Sequence, residues 1–593
     1  MKLADYVVKF LEQRKINDIF LVSGGGIMHL IDAVGKNENI NYYCNYHEQA
    51  CAIAAEGHAR VTGKPAVCLV TVGPGAVNAL AGIVGAWYDS IPMIVVTGQV
   101  KKELIANFSE IRQRGPQEGN VLEMARPVTK YAVSVVEPND IRKELEKAFY
   151  IATSGRPGPV WVEIPLDIQG AEVNEETLPS WDQESRKSEA VNYQEFEEIV
   201  RLIENAERPL LVPGNGVWMA GVRDQFVKLV EKTNIPVAVS FTSKDLLPEE
   251  HDCFVGVFGT AGQRRANFAV QNCDLLISLG SGLSLSKVGF NYGGFAPKAK
   301  KIIIDIDKGQ VFNQVVRPDV GVVADLKSIV PFLTENLNAE KLNILPKWRE
   351  VCSLWKRKYF PVGPEFYDNA EFVNSYVFMD KISDLLVNNA CLTVGNGLDC
   401  VSYYQAFKVK EGQRTLISGN WGSMGWDLPL AIGACIGRGK EKTLCVTGDG
   451  SLQWNVQELM TISKNRLPIK IFVFNNRGYS AIRATQKNFS GGKYVASDEG
   501  SGVGNPNFEL LAQAYGIRYF SIQTNADIVR VASEAIEGSA ACLVEVNIHP
   551  DQWISPKASA YRDENGKIHS RPLEDMEPLL PREEIEENMS IFD

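Results

Sequence analysis

The sequence lacks the features of a membrane, disulfide-linked or nucleic-acid-binding protein. No uninterrupted apolar run approaches the roughly 20 residues of a membrane-spanning helix. The 11 cysteines show no Cys-x-x-Cys pair and no regular spacing, which indicates reduced thiols rather than a disulfide framework. The net charge is −11 and no basic tract offsets it. We therefore expect no nucleic-acid partner and no membrane partner.

The first residues also lack the apolar stretch of a signal peptide. Residues 1–17 carry charges throughout and have the pattern of an amphipathic helix, so we expect a cytoplasmic protein. A chain of 593 residues is long enough for about three to four domains. With 45% hydrophobic and 22% charged residues, the composition is typical of a globular protein with large cores.

Helical segments alternate with short β-rich runs along most of the chain, which is typical of parallel sheets covered by helices on both faces. The predicted strands in the first two units lie at 19–23, 66–72, 93–98, 160–165, 209–214, 236–241, 274–280 and 301–307. We predict an α/β fold of three doubly wound parallel-sheet domains, at 1–170, 191–345 and 372–550. An acidic linker at about 171–190, a connector at about 345–371 and a polar tail at 551–593 complete the chain.

The strongest motif is Gly448-Asp449-Gly450-Ser451, followed 25 residues after Gly450 by Asn475-Asn476. Two predicted strands, 442–447 and 469–474, flank one amphipathic segment at 452–465. A crossover of this length makes the strands parallel, so Asp449 and Asn476 leave the same edge of the sheet. Carboxylate and amide oxygens suit Mg²⁺, and the glycines let a diphosphate approach the start of the helix. The pattern favours a metal-diphosphate site over an ordinary Gly/Asp turn.

This motif resembles the signature of thiamin-diphosphate (ThDP) enzymes, and the rest of the chain is similar to their acetolactate synthase-like large-subunit family. The resemblance implies pyrimidine-binding, central and diphosphate-binding domains in that order, with ThDP and Mg²⁺ as cofactors. It assigns the metal to Asp449, Asn476 and the carbonyl of Gly478. The other groups that it places around ThDP are Gly25, Pro74, Asn78, Gly397, Leu398, Gly422, Met424, Gly448, Gly450, Ser451, Tyr479 and Ser480.

Glu48 begins a helix of small residues, where it is either a charge facing the helix dipole or a functional carboxyl. The resemblance implies the second, since this position hydrogen-bonds N1′ of the aminopyrimidine and promotes its imino tautomer. Met424 occupies the position of the apolar side chain that wedges between the two cofactor rings, although a Met beside glycines is also typical core filler. The Gly422 carbonyl would accept from the 4′-amino group.

Three further residues are candidates for contact with substrate. Gln117 matches a glutamine of acetolactate synthases that faces the reacting carbon. His29, after the glycines at 24–26, lies where the family lines its substrate cavity, and its alternative role is that of a capping or core residue. Arg483 is either a ligand for a substrate carboxylate or a surface arginine on a helix.

The chain also departs from acetolactate synthases. Pro116 stands where they carry Phe, Leu166 where they carry Lys, and residues 477–486 replace a Glu-rich turn that leads to a substrate-selecting Trp. Residues 280–284 lack the Arg-Phe-Asp-Asp run that helps to hold FAD, so FAD is allowed in the central domain but not required. Segments 23–35, 475–483 and 573–580 instead resemble the subgroup of branched-chain deoxysugar carboligases.

These observations lead to one functional hypothesis with named alternatives. The hypothesis is a carboligase that decarboxylates a 2-keto acid, pyruvate, and transfers the two-carbon unit to a carbonyl acceptor such as a nucleotide-activated 4-keto-deoxysugar. The alternatives are an acetolactate synthase, a non-ligating 2-keto acid decarboxylase and a non-catalytic ThDP-binding subunit. Glu48 and Asp449 lie in different domains, and the resemblance implies a homodimer or homotetramer with the active site at the subunit interface. The tail is expected to be disordered, to lie over a neighbouring surface or to act as a lid.

Overall fold

The computed structural model describes residues 1–182, 193–368 and 371–592, and within them three six-stranded sheets organise three α/β units. Every strand pair in these sheets is parallel, so the predicted fold class is confirmed. Parallel pairing requires a crossover between successive strands, and helices supply most of these crossovers. Among the described residues, no helix combines the length and apolar content that crossing a membrane requires.

The first unit has the strand order β2-β1-β3-β4-β6-β5. Its strands are β1 (Asp18–Leu21), β2 (Asn41–Cys44), β3 (Ala66–Val70), β4 (Met93–Gln99), β5 (Tyr131–Ser134) and β6 (Pro159–Pro165). Its helices are Leu3–Gln13, Met28–Lys36, Glu48–Thr62, Pro74–Tyr88, Val121–Ala125, Ile141–Thr153 and Leu166–Gln169. β3, β4 and β6 are buried along their full length, as expected for strands with helices on both faces.

The central unit has the order β12-β11-β10-β7-β8-β9. Its strands are β7 (Pro209–Pro213), β8 (Val237–Val239), β9 (Phe254–Val257), β10 (Leu275–Leu279), β11 (Lys300–Asp305) and β12 (Val320–Val323). Its helices are Tyr193–Asn205, Gly216–Met219, Arg223–Thr233, Arg264–Asn272, Leu285–Val288, Lys308–Phe312, Leu326–Asn336 and Pro346–Lys358. This is the strand order of dinucleotide-binding sheets, in which ligands bind where the order reverses, here between β7 and β10.

The third unit has the order β14-β13-β15-β16-β18-β17, the same topology as the first. Its strands are β13 (Cys391–Val394), β14 (Arg414–Ile417), β15 (Thr443–Gly448), β16 (Ile469–Asn475), β17 (Arg518–Ile522) and β18 (Cys542–Asn547). Its helices are Ser375–Leu385, Leu398–Ala406, Asp427–Gly437, Asp449–Trp454, Glu458–Asn465, Ser480–Phe489, Phe508–Ala514 and Ile528–Glu537.

One local prediction was wrong, and the predicted connector is partly helical. The segment 452–465 is not one helix, because the chain breaks after Trp454 and Asn455 Nδ2 donates to the Gly425 carbonyl at 2.7 Å. The connector at 345–371 contains the helix Pro346–Lys358, whose tryptophans are fully buried against the central unit. Part of the predicted linker, residues 171–182, runs along the first unit, and residues 183–190 lie outside the described residues.

The tail is ordered and lies over the central unit of its own chain. It forms the strands β19 (Lys557–Ala558), β20 (Ala560–Arg562), β21 (Ile568–Ser570) and β22 (Met576–Glu577) and the helix Arg582–Met589. β19 pairs with β22 and β20 with β21, both antiparallel. Leu573 and Ile585 are buried in the central unit's core, and Asn267 Nδ2 donates to the Leu573 carbonyl at 3.0 Å. Of the alternatives for the tail, disorder is therefore wrong, and a tail that lies over a neighbouring surface agrees with the structure.

The first and third units are in contact through two helices that meet at glycine residues. On the helix Asp427–Gly437, a Cβ added at Gly433 would overlap the carbonyl oxygen of Ala54 on the helix Glu48–Thr62. A Cβ at Gly57 would likewise overlap the carbonyl oxygen of Leu430. Two helix backbones approach this closely only where side chains are absent.

We expect Gly433→Ala to destabilise the protein by about 1–3 kcal/mol, because the new methyl group has no space between the helices. The matched control is Gly35→Ala, on the exposed part of the helix Met28–Lys36, where an added Cβ meets nothing within 4 Å. That control should be neutral or slightly stabilising, since alanine restricts the unfolded chain. Urea unfolding of both variants measures the difference, and equal effects would contradict a glycine-dependent contact.

Candidate active site

The metal-diphosphate motif lies at the carboxyl edge of the third sheet. β15 and β16 end side by side, with Gly448 paired to Phe474. Asp449 therefore leaves one strand and Asn476 the next at the same edge. Since β15 also pairs with β13, the motif sits where the strand order reverses, the position at which open α/β sheets bind ligands.

Asp449 and Asn476 are both buried, at 2% and 6% exposure. Asp449 Oδ2 accepts from the Gly478 amide at 2.9 Å and from Asn505 Nδ2 at 2.7 Å. Burial raises the pKa of the Asp449 carboxyl, and these hydrogen bonds oppose the shift. Asn476 Nδ2 donates to Ser480 Oγ at 3.1 Å, while its buried Oδ1 has no partner among the described residues. A buried acceptor oxygen without a donor, beside a carboxylate, fits a divalent cation such as Mg²⁺.

The backbone beside Asp449 is closely packed. A Cβ at Gly450 would overlap the ring of Tyr479, so only glycine allows this loop and this ring to meet. Ser451 Oγ donates to the Asp427 carboxylate at 3.0 Å and accepts from the Gly425 amide at 2.7 Å. The start of the helix Asp449–Trp454 is thereby fixed against the loop that precedes Asp427.

That loop carries Gly422 and the half-buried Met424. Gly422 and Gly425 have φ of +64° and +78°, which allow the chain to turn sharply on either side of Met424. The Gly422 carbonyl accepts from Asn396 Nδ2, and a carbonyl oxygen has a second lone pair for another donor. Gly397 caps the helix Leu398–Ala406, so Leu398 starts at the same sheet edge.

Two buried carboxyl groups lie beneath this edge. Burial raises the pKa of Asp399 to about 7, and the nearby Asp427 carboxylate adds to the shift. Burial also raises the pKa of Asp427, while its hydrogen bonds from Thr447 and Ser451 oppose the shift. A Cβ at Gly395 would collide with both carboxyl groups. The strand end after β13 is therefore packed around two acidic groups whose pKa values burial raises.

The predicted residues of the first unit gather around Glu48. Its Oε2 accepts from Asn78 Nδ2 at 3.0 Å, and its Oε1 would lie 3.0 Å from a Cβ at Gly75. Pro74 begins the helix Pro74–Tyr88. Gln117 is exposed with φ +66°, and its carbonyl packs against Gly73. The turn after β3 thus contacts the Glu48 carboxylate and the backbone of Gln117.

His29 and Gly25 lie apart from these contacts. The His29 ring packs near Gly170, where an added Cβ would be 3.0 Å from Nε2. Gly25 is exposed, and a Cβ there would meet nothing within 4 Å. The structure therefore places His29 against Gly170, close to where the first unit ends in the sequence.

Arg483 is neither a surface arginine nor free to bind a substrate carboxylate, the two roles that the sequence suggested. It is 4% exposed, and its guanidinium donates to four backbone carbonyls rather than facing solvent. These are the carbonyls of Asn476, Arg477, Ser497 and Pro550. The side chain clamps the loop that follows Asn476.

Sequence reasoning also missed Asn505 and Asn396. Asn505 sits in an irregular segment about 30 residues beyond Asn475, and its Nδ2 lies 3.2 Å from Asn475 Oδ1. Nothing in the local pattern marks it. Asn396 follows β13 directly, and its place at a parallel strand end was the only available signal.

Comparison with known proteins identifies the family. Three family descriptions match the chain: "Thiamine pyrophosphate enzyme, N-terminal TPP binding domain" at residues 1–124, the central domain at 196–333 and the C-terminal TPP binding domain at 395–546. The chain belongs to the acetolactate synthase-like thiamine pyrophosphate enzymes. Its three parallel sheets are the three α/β domains of this fold.

Similar relatives cover nearly the full chain of this thiamine pyrophosphate enzyme. A probable acetolactate synthase large subunit of Methanocaldococcus jannaschii is 33% identical over 93% of this chain and 93% of the relative. Acetolactate synthase isozyme 1 large subunit of Escherichia coli is 32% identical over 93% and 95%. Chloroplastic acetolactate synthase 2 of Nicotiana tabacum is 31% identical over 95% and 85%.

We expect Asp449→Ala to abolish Mg²⁺-dependent binding of ThDP, because it removes the buried carboxylate. Asn505→Ala keeps the carboxylate and removes one of its hydrogen-bond donors, so it should weaken binding by about 10–100-fold. Asp224→Ala is the control, since that side chain is 81% exposed and remote in sequence from the site. Calorimetric titration of each variant with ThDP, with and without Mg²⁺, measures these effects. Unchanged affinity in Asp449→Ala would contradict the metal site.

Proposed function

We propose that this protein is a ThDP- and Mg²⁺-dependent carboligase that decarboxylates a 2-keto acid, pyruvate, and transfers the two-carbon unit to a carbonyl acceptor. The observation that carries the proposal is the buried pair Asp449 and Asn476 at a sheet edge, in a chain similar along nearly its full length to acetolactate synthases. An intact set of ligands and an intact Glu48 argue against a non-catalytic subunit.

Each part of the chain has a separate task. ThDP, when bound, supplies the carbon nucleophile and the electron sink for cleaving the bond beside a keto group. Asp449, Asn476 and the Gly478 carbonyl would hold the Mg²⁺ that neutralises the diphosphate. Glu48 would hold and return a proton at N1′ of the aminopyrimidine, with Asn78 orienting its carboxyl.

The remaining predicted groups position the rings and the substrate. Met424 would fill the space between the two cofactor rings, and the Gly422 carbonyl would accept from the amino group. Gln117 and His29 are proposed to face the substrate. Gly25, Pro74, Gly397, Leu398, Gly448, Gly450, Ser451, Tyr479 and Ser480 would line the cofactor.

The two candidate ligation reactions differ in the carbonyl compound that accepts the two-carbon unit. The similarity to acetolactate synthases favours that reaction, in which the acceptor would be a second 2-keto acid. The departures at Pro116, Leu166 and residues 477–486 favour a different and larger acceptor, such as a nucleotide-activated 4-keto-deoxysugar. A decarboxylase without ligation would release acetaldehyde.

A second ligand is proposed for the central domain. A cavity of about 430 Å³ opens where its strand order reverses, between the ends of β7 and β10. Gly216, Gly280 and Asp305 line it, and the buried Lys287 donates to the Gly282 carbonyl at 3.0 Å. This position suits a nucleotide, with FAD as the candidate that the family resemblance implies. The visible absorbance of the purified protein would show a bound flavin.

We propose that the enzyme works as a homodimer or homotetramer in the cytoplasm, with active sites at the subunit interface. Large aromatic side chains are exposed beside the site, notably Tyr46 at 54% and Trp454 at 51%. Exposed aromatics in one region are typical of a surface that a partner covers. All 11 cysteines are free, which suits a reducing compartment.

Glu48→Gln should reduce turnover of pyruvate by about 10²–10⁴-fold while leaving ThDP affinity largely unchanged, because the amide keeps the shape but cannot exchange the proton. The matched control is Glu123→Gln, whose side chain is 56% exposed. Turnover is measured as pyruvate consumption and affinity by calorimetry. Normal turnover in Glu48→Gln would exclude the proposed role.

Products decide between the acceptors. Mass spectrometry of the reaction with ThDP, Mg²⁺ and pyruvate, with and without a nucleotide 4-keto-6-deoxysugar, should show either acetolactate or a sugar two carbons heavier. Acetaldehyde alone would indicate the decarboxylase. If pyruvate is not consumed in either reaction, pyruvate is not the donor.

A further inference from the structure

A large cavity lies between the tail and the central unit. Its volume is about 790 Å³, within the range of ~300–1,000 Å³ that small-molecule sites occupy. The tail forms one wall with the hairpin β20–β21, and the segment after the helix Leu285–Val288 forms the other. The hairpin is fixed at its turn, where the Asp563 carboxylate accepts from the Lys567 amide at 2.9 Å. We call this space the tail cavity.

The tail cavity is lined by more cations than carboxylates. Lys557, Arg562 and Arg571 line it, with Glu577 as the one lining carboxylate among the described residues. Arg571 is paired with Asp575 at 3.0 Å. Neither of the other two cations forms an ion pair with any described residue. A cavity with unpaired cations favours an anionic ligand, and an arginine with free donors suits phosphate.

Lys557 and Arg562 are poorly satisfied by the protein itself. The Lys557 ammonium lies 4.0 Å from the centre of the Trp553 ring, and partial burial lowers its pKa while Glu577 opposes the shift. Arg562 donates to the Gly566 carbonyl at 3.4 Å, a long hydrogen bond. Ser559 also lines the cavity, and its buried hydroxyl has no hydrogen-bond partner among the described residues.

Aromatic rings complete the lining. Phe290 projects from the central unit with 73% exposure, and Trp553 and Tyr561 from the tail with 37% and 45%. Tyr561 already stacks on His569, with ring centres 5.4 Å apart, whereas no stacking partner of Phe290 is found in the described residues. A free aromatic face beside cations is the combination that binds a nucleobase attached to phosphate.

The tail cavity adjoins the proposed active site. A smaller cavity of about 220 Å³ is lined by Leu398 and Ser480, two of the predicted cofactor-binding residues. Three residues line both cavities, namely Asn488, Trp553 and Lys557. A molecule held in the larger cavity can therefore extend toward the edge of the third sheet.

We propose that the tail cavity binds the nucleoside diphosphate part of the carbonyl acceptor, with the base on Phe290 and the diphosphate between Lys557 and Arg562. The keto-bearing end then lies in the smaller cavity, near Ser480. This inference rests on the proposed function, because it names the class of the acceptor. It assigns the tail the role of a binding wall that a simple 2-keto acid acceptor would not need.

Calorimetric titration of the full chain tests the proposal. The protein is first saturated with ThDP and Mg²⁺, so that its diphosphate-binding groups are filled. It is then titrated separately with UDP, dTDP, CDP, GDP and ADP, with coenzyme A and with inorganic pyrophosphate. At least one nucleoside diphosphate should bind, and pyrophosphate should bind more weakly because it lacks a base. Tightest binding of coenzyme A would identify a different ligand and overturn the proposal.

Substitutions in the tail cavity test whether the nucleotide binds there. Phe290→Ala and Arg562→Ala should each weaken the nucleotide by about tenfold, the loss expected for one stacked base or one phosphate contact. The matched controls are Leu510→Ala, at 62% exposure, and Arg530→Ala, at 71% side-chain exposure, both in the third unit. All four should melt at the wild-type temperature, since each changes an exposed side chain.

Two further results would overturn the proposal. One is the absence of binding by all five nucleoside diphosphates. The other is binding that Phe290→Ala and Arg562→Ala leave unchanged, which would place the nucleotide elsewhere, for instance over the central sheet. These titrations need no turnover. A protein that ligates pyruvate but binds no nucleotide therefore refutes this inference alone. One that binds nucleotide at Phe290 and Arg562 without consuming pyruvate refutes pyruvate as the donor and leaves the nucleotide site in place.

Discussion

The contact between the helices Glu48–Thr62 and Asp427–Gly437 is the constraint on which the arrangement of the first and third units within one chain depends. Gly57 and Gly433 allow the two backbones to touch, and no larger residue would fit without moving them. One helix begins at Glu48, and the other follows directly on the loop that carries Met424. Because the helices are held backbone to backbone, the first unit's carboxyl and the third unit's loop are fixed relative to one another.

A buried ionic network reinforces that contact. Arg60 bonds Glu56 at 2.7 Å and Asp89 at 2.5 Å, with all three charges inside the protein. Trp426 Nε1 donates to Glu56 Oε2 at 3.0 Å, and the Asn420 amide donates to Asp89 at 3.0 Å. Buried charges are tolerated only when they are paired and hydrogen-bonded. Here the hydrogen bonds of Glu56 and Asp89 are complete only when the loop at 419–426 packs against the first unit.

The sequence predicted the site in part because parallel sheets follow simple rules. Asp449 and Asn476 each follow an apolar strand, so their shared edge could be inferred from the crossover between them. The strands β2 and β5 were missed because they are short and partly exposed edge strands without a continuous apolar run. The helix break at Asn455 could not be predicted, since it depends on a hydrogen bond to Gly425, about 30 residues earlier. Asn505 was missed for the same reason.

By itself, the sequence determined the fold class, because hydrophobic period is a local property, and the family, because its motifs resemble those of ThDP enzymes. The metal site at the edge of the third sheet stays a prediction. Contacts between segments that are distant in the sequence were decided only by the tertiary structure. It showed that Arg483, a candidate substrate ligand in the sequence, donates to four backbone carbonyls instead. It also showed that the polar tail packs on the central unit and that the two together form the tail cavity, whose walls are about 270 residues apart in the chain. Contacts between such distant segments leave no periodic pattern that a single sequence could show.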